Sequence, residues 1–178
     1  MKLKIGNLLK NRLALSTVVT TLIILVVSVL LAGVVTYYAI NVTSTRTQEE
    51  SLSLTKQHIW VDDTGAAVGA IMITNNGGRD VVIDKITVRG QESVWTSVYS
   101  SVLTDVTADL SFSLVGDLAV TYTAGTEGID LVVPSGTTIG VYIDAPDSIT
   151  MNDIGLTSAF TVFTSQAMYY KETNVQAY

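Results

Sequence analysis

From Leu13 to Thr45 the chain runs for 33 residues without a formal charge. No other feature narrows the possible folds so sharply. A helix needs about 20 consecutive, predominantly apolar residues to cross a bilayer, and Leu15–Ile40 is a predominantly apolar stretch of 26. As a helix these extend about 39 Å at the usual rise per residue. Lys2, Lys4, Lys10 and Arg12 precede the stretch, and no acid occurs before Glu49. Basic residues ahead of an apolar run hold the N-terminus on the cytoplasmic side, so the remainder is expected to be exported. A secretory signal has an apolar core of roughly 7–15 residues, which fits this length poorly. An uncleaved single-pass anchor fits it.

The interior of the run narrows the choice further. Thr17, Val18, Val19, Thr20, Thr21, Ile23, Ile24, Val26, Val27 and Val29 are indifferent helix formers in water. In lipid or in a dry helical core the backbone has no other partner than itself, so a helix forms regardless. Ser28, Ala32 and Thr36 recur at four-residue steps with Gly33 beside them, and small residues so spaced let helices approach closely. The following "NVTSTRTQEESLSLTKQ" holds no proline or glycine, so the helix is expected to continue to about Lys56. Tyr37 and Tyr38 suit an interfacial position near its exit.

A short basic leader, a small residue, then "LSTVVTTLIILVVSVLLAGVVTYYAINVT" resembles the N-terminus of archaeal type IV pilins and the related archaellins. The resemblance covers roughly residues 1–60. It implies removal of the leader by a prepilin-type signal peptidase between Ala14 and Leu15, which makes Leu15 the mature N-terminus. It also implies a filament whose core is a bundle of these helices, with β-rich heads facing outward. Val19 falls at the fifth mature position, where bacterial type IV pilins carry glutamate, and this points to the archaeal branch. Leu13 separates Arg12 from Ala14, whereas the family usually has a basic residue directly before the small one.

Beyond Thr55 short runs rich in Val, Ile, Thr, Tyr and Phe alternate with Gly, Asn, Asp and Pro clusters, the pattern of an all-β domain. Strands are expected near 57–61, 67–74, 81–88, 94–100, 110–115, 118–123, 129–133, 138–143 and 159–170, the last being one strand or two. In "LAVTYTA", Leu118, Val120 and Tyr122 share one face. In "TTIGVYID", Ile139, Val141 and Ile143 do so, and both runs read as half-buried strands. "AIMITNNGGRDVVIDKITV" reads as a hairpin turning at Asn76-Gly77, and "VPSGTT" as another turn. The block 100–117 is either a strand pair or a surface excursion.

Composition excludes several functions. The chain has no cysteine, which removes disulfides, thiolate catalysis and cysteine–zinc sites. Past Arg12 six basic residues face sixteen acidic ones, the opposite of a nucleic-acid footprint. His58 is the sole histidine, no G-x-S-x-G or phosphate-binding glycine pattern occurs, and no catalytic constellation assembles. His58 therefore reads as a packing or surface residue. Asp62-Asp63 and the 144–153 loop with Asp144, Asp147 and Asp153 are the acidic clusters. Neither follows an EF-hand spacing; both read as turn caps, with a cation in the second loop as the alternative. Asn41-Val42-Thr43 is the single N-x-S/T acceptor. Trp60, Trp95, Tyr99, Tyr169, Tyr170 and Tyr178 serve either core packing or contacts between molecules.

The expected fold is α+β: a long hydrophobic N-terminal helix followed by an antiparallel immunoglobulin-like β-sandwich head. Its segments are a basic leader (1–14), a helix (15–55) and a head domain (56–178). The expected function is structural, not enzymatic, with no cofactor and no metal. The resemblance implies a filament subunit, expected in the cytoplasmic membrane as a precursor and on the cell surface when mature. Its partners are identical copies, the prepilin-type peptidase and the membrane assembly machinery, and no nucleic acid. An adhesion pilus is favoured. The archaellum and a single-pass membrane-anchored Ig-like surface binding protein are the alternatives.

Overall fold

Helix α1 spans Ile5–Thr47 and strand β1 begins only five residues later, at Leu52. The computed structural model of the chain describes residues 5–47 and 49–178, and the side chains of 15–45, 49–114 and 116–178. Lys2 and Lys4 of the basic leader lie outside the described residues, as does the side chain of Ala14. The chain divides into two units between Arg46 and Thr47. A helix reaching to 55 is thus not found, and the β-rich unit starts before residue 56. Leu52 and Leu54 alternate with Ser53 and Thr55 and are both buried. Their pairing with β2, Leu52 opposite Asn75 and Leu54 opposite Ile73, outweighs the weak helix propensity of Ser and Thr there.

The β-rich unit holds β1 (Leu52–Val61), β2 (Ala67–Asn75), β3 (Val81–Val88), β4 (Gln91–Glu92), β5 (Val98–Val102), the short helix α2 (Val115–Thr121), β6 (Thr123–Ala124), β7 (Leu131–Val133), β8 (Thr138–Asp144), β9 (Thr157–Thr164) and β10 (Met168–Ala177). The ten strands form one curled sheet in the order β4-β3-β9-β10-β1-β2-β8-β5-β6, with β7 also on β3. The architecture is α+β, as expected. The pairings are antiparallel except one: β1 and β10 run parallel, Ile59 opposite Val175. Strand β10 joins the two halves. Met168–Asn174 pairs with β9, and Val175–Ala177 with β1.

The inner faces of the two halves share one core. Ile59, Ile71, Ile73, Val141 and Ile143 come from one half, and Ile83, Ile86, Phe160 and Val162 from the other. Gly69 makes room for the largest of these, since a Cβ there would lie 3.0 Å from Phe160 Cζ.

A second apolar cluster lies on the opposite face of β1, β2 and β8. It joins Trp60, Val68, Ala70, Met72 and Tyr142 to Leu110 and Leu118. Strands β2 and β8 are consequently buried on both faces, where half-burial was expected of β8. The cover is the block between β5 and β6, which is a surface excursion and not a strand pair. In it 118–123 is helical up to Thr121. Leu118 and Tyr122 sit one helical turn apart, the Tyr122 N–H donating to Leu118 O at 2.7 Å. A period of two and a step of four both place Leu118 and Tyr122 on one side. Val120 discriminates, and it is 86% exposed. The expected strand at 110–115 is likewise absent.

The expected β2–β3 hairpin is not formed. Strand β2 has β1 and β8 on its two edges, so β3 has no edge to join and pairs with β9 in the other half. The segment between them is a crossover built on Asn75, which is fully buried. Its Nδ2 donates to Arg79 O at 2.8 Å and Val133 O at 3.0 Å, while its Oδ1 accepts from the Gly77 N–H at 2.9 Å. Gly77 serves close approach, not a turn: a Cβ there would lie 2.7 Å from Glu49 O. The turn at "VPSGTT" is present, with Gly136 at φ +72°.

Leu118→Ala is expected to lower the stability of the β-rich unit by about 2–4 kcal/mol, and Val120→Ala to change it by less than about 0.5 kcal/mol, both read by urea unfolding of the full chain in detergent. Equal losses would contradict the helix. By the same assay Asn75→Ala, which orphans buried backbone groups, should cost about 3 kcal/mol, and Asn76→Ala almost nothing.

Candidate functional site

Every described side chain of α1 from Leu15 to Thr45 is exposed, including Leu15, Leu22, Leu30, Val34 and Ile40. By length and composition this segment is able to cross a membrane. Its apolar residues occupy all sides, which distinguishes it from an amphipathic surface helix. Its hydroxyls turn inward onto the helix itself. Ser28 Oγ donates to Ile24 O at 2.7 Å, Thr36 Oγ1 to Ala32 O at 2.8 Å, and Thr20 Oγ1 to Ser16 O at 2.9 Å. Polar groups satisfied in this way carry a smaller penalty in lipid or in a dry bundle.

Ser28, Ala32, Gly33 and Thr36 all lie within this segment, the first, second and fourth at successive four-residue steps. Gly33 stands out. A glycine in a helix interior costs about 1 kcal/mol relative to alanine, yet a Cβ at this position would meet nothing within 4 Å. Among the described residues no contact requires its small size. The Ala14–Leu15 bond lies within the helical backbone, and Leu15 is exposed. Asn41 and Thr43 are exposed on the last turns of the helix, and the Asn41 carbonyl accepts from Thr45 Oγ1 at 2.9 Å.

The remaining candidates lie in the β-rich unit. The His58 ring stacks on Trp60 at 4.9 Å, and its Nε2 lies 3.1 Å from Asp109 Oδ1. Its Nδ1 is buried without a hydrogen-bond partner. Desolvation disfavours the charge on Asp109, but hydrogen bonds from His58 and the Leu110 N–H, with Lys56 nearby, outweigh it and hold the carboxyl below its ordinary range. Lys56 sits at φ +50° where the β1 register shifts, and its ammonium reaches the Val106 and Ala108 carbonyls. Lys56 and His58 thus clamp the start of the excursion onto β1. Reasoning from sequence missed this pair, because its partners lie some fifty residues away in a block with no periodicity.

Asp62 caps the turn between β1 and β2. It accepts from the Thr64 hydroxyl at 2.8 Å, the Thr64 N–H at 2.9 Å and the Ala66 N–H at 2.7 Å. Asp144, Asp147 and Asp153 do not converge. Among the described residues no three His, Cys, Asp or Glu side chains are grouped to hold a metal. Asp153 accepts from the Thr150 hydroxyl at 2.7 Å and from Arg89 at 2.6 Å, and these bonds push its pKa down to about 2. Asp147 accepts from Gln91 Nε2 at 3.3 Å. Burial raises Asp144. Of the aromatic candidates Trp60 is core, Trp95, Tyr99 and Tyr169 are half-buried, and Tyr170 and Tyr178 are exposed. Tyr178 stacks on Phe112 at 3.9 Å.

No family model matches the chain, and no curated protein matches it significantly. Among solved structures it is similar to the ligand-binding region of serine-glutamate repeat protein A of Enterococcus faecium. That match has 14% identity and a TM-score of 0.33, and covers 73% of this chain and 97% of that one. It is also similar to the β-glucosidase of Listeria innocua in complex with glucose, with 14% identity and a TM-score of 0.28. There it covers 73% of this chain but spans only 16% of the glucosidase. Likenesses of this degree carry no argument about activity.

Asp153 is depressed from 3.8 to about 2 on folding, so its contribution to stability is complete above pH 3.8 and is lost as pH falls towards 2. The thermal midpoint of the β-rich unit should fall over this range. In Asp153→Asn the drop should be shallower, with a lower midpoint at neutral pH. Parallel pH profiles for the two proteins would contradict the assignment.

Proposed function

We propose that this chain is a structural subunit of an archaeal type IV pilus-like surface filament. It polymerises through its N-terminal helix after cleavage between Ala14 and Leu15, and serves adhesion. The observation that carries the reading is the helix itself: apolar on all sides, with inward-turned hydroxyls and a mid-helix glycine that no contact among the described residues requires. Joined to a β-rich unit with its own core, it is suited first to lipid and then to a bundle of identical helices. Ser28, Ala32, Gly33 and Thr36 supply the close-approach face. The role is structural, not catalytic. Its partners are further copies of the chain, the prepilin-type peptidase and the assembly machinery of the membrane. Asn41, exposed where the helix leaves its apolar stretch, is the acceptor for an N-linked glycan. The archaellum uses the same helix plan, and the adhesion pilus is preferred on the pilin-like opening "LSTVVTTLI".

A single-pass surface protein with an Ig-like binding module is the second reading. It is favoured by the same helix, long enough to span a bilayer, with Tyr37 and Tyr38 placed for its interface. The N-terminus of the mature protein separates the two. Filament material sheared from cells should begin at Leu15, and Gly33→Leu should reduce that material about tenfold or more, as expected from steric exclusion of a neighbouring helix. The urea midpoint of the β-rich unit should stay unchanged. A protein that keeps Lys2–Arg12 and is released only by detergent is an anchor, and the filament reading then fails. Intact mass of the sheared protein reads the glycan on Asn41.

A further inference from the structure

We propose that ionic strength sets the balance between membrane and filament for this subunit, through repulsion between the β-rich units. This rests on the filament reading above. A helix that leaves lipid for a bundle exchanges one apolar surrounding for another, so the hydrophobic effect contributes little to the transfer. The terms left to decide it are helix packing and whatever the β-rich units do to one another.

Those units carry charge of one sign. Thr47–Tyr178 holds sixteen acidic and five basic residues, a net charge of −11. Twelve of the acids are exposed. Three of the five cations are engaged within the unit: Arg89 with Asp153, Lys56 with the Val106 and Ala108 carbonyls, and Lys85 over the Phe163 ring at 5.0 Å from its centroid. Among the described residues of the unit only Arg79 and Lys171 remain to meet a neighbour's acids. Copies brought together in a helical array therefore present like charge to like charge. The repulsion reaches about 30 Å at 0.01 M salt and about 3 Å at 1 M, so it spans neighbouring units in dilute buffer and vanishes in concentrated salt. Diffuse counter-ions are what the assembled state requires.

The test uses native filaments sheared from cells and held in a fixed concentration of non-ionic detergent, which stands in for lipid as the alternative solvent for the helix. Subunit released into the supernatant after ultracentrifugation is measured from 10 mM to 1 M NaCl. Release at 10 mM should exceed release at 1 M by about tenfold or more, following the change in screening length. Asp63, Asp84, Glu92, Glu127 and Asp130 are exposed, and their side chains make no hydrogen bond or ion pair among the described residues. The combined variant D63N/D84N/E92Q/E127Q/D130N should lose most of that salt dependence. Filaments whose release is the same at both salt concentrations overturn the proposal and leave the filament reading intact, as does a folded variant with an unchanged salt dependence. The absence of sheared filaments overturns both.

Discussion

Strand β2 has no side facing water, and the rest of the β-rich unit follows from that. Its odd-numbered residues from Ala67 to Ile73 face the core between the two halves of the sheet, and Val68, Ala70 and Met72 face the opposite way. Both of its edges are paired. Such a strand must be enclosed on all sides, because each exposed apolar side chain forfeits roughly 1.5–3 kcal/mol. The curl of the sheet encloses one face. The excursion between β5 and β6 encloses the other, held down by Lys56, His58 and the Tyr142 hydroxyl, which donates to Ser111 O at 2.8 Å. Burial pushes the pKa of that hydroxyl up to about 12. Gly140 completes the fit: a Cβ there would lie 3.1 Å from Leu103 Cδ1 and 3.2 Å from the Tyr122 hydroxyl.

The helical unit obeys the reverse rule. The β-rich unit buries its own apolar residues, while α1 exposes its own and satisfies its hydroxyls internally. The protein completes one core within the chain and leaves a second apolar surface exposed, so its folding and the medium of its helix are set by separate residues. Changes to Phe160 or Asn75 act on the first, and changes to Gly33 on the second. The charge distribution follows the same division, with four basic residues ahead of the apolar stretch that starts at Leu13 and all sixteen acids after it.

Local periodicity served well where one register alone fitted. The strands at 67–74, 81–88 and 138–143 lie within a residue or two of their expected places. It misled where two periods coincide. Leu118 and Tyr122 satisfy both a strand and a helix, and only the exposure of Val120 decides. Asn76-Gly77 has the composition of a tight hairpin, but a turn pairs its flanking strands only if an edge is free, and β1 and β8 had taken both. The end of α1 was misplaced for a related reason. "SLSLT" holds no helix breaker, and its transition to strand depends on a partner that is distant in sequence.

The amino-acid sequence alone determined that a helix apolar on every side precedes a β-rich unit. Charge, hydropathy and backbone hydrogen bonding are local properties, and in lipid or a dry core a run of 33 uncharged residues satisfies its backbone as a helix. It also determined the absence of cysteine chemistry and the concentration of acid beyond Glu49. Tertiary structure decided which strands are neighbours, that β10 closes the sheet in parallel with β1, and that a block without periodicity becomes the cover of a second core. It also decided that the acids of the 144–153 loop are dispersed to Arg89, Thr150 and Gln91. These are competitions among residues far apart in the chain for a limited number of edges, faces and partners. Their outcome depends on geometry that no short stretch of sequence contains.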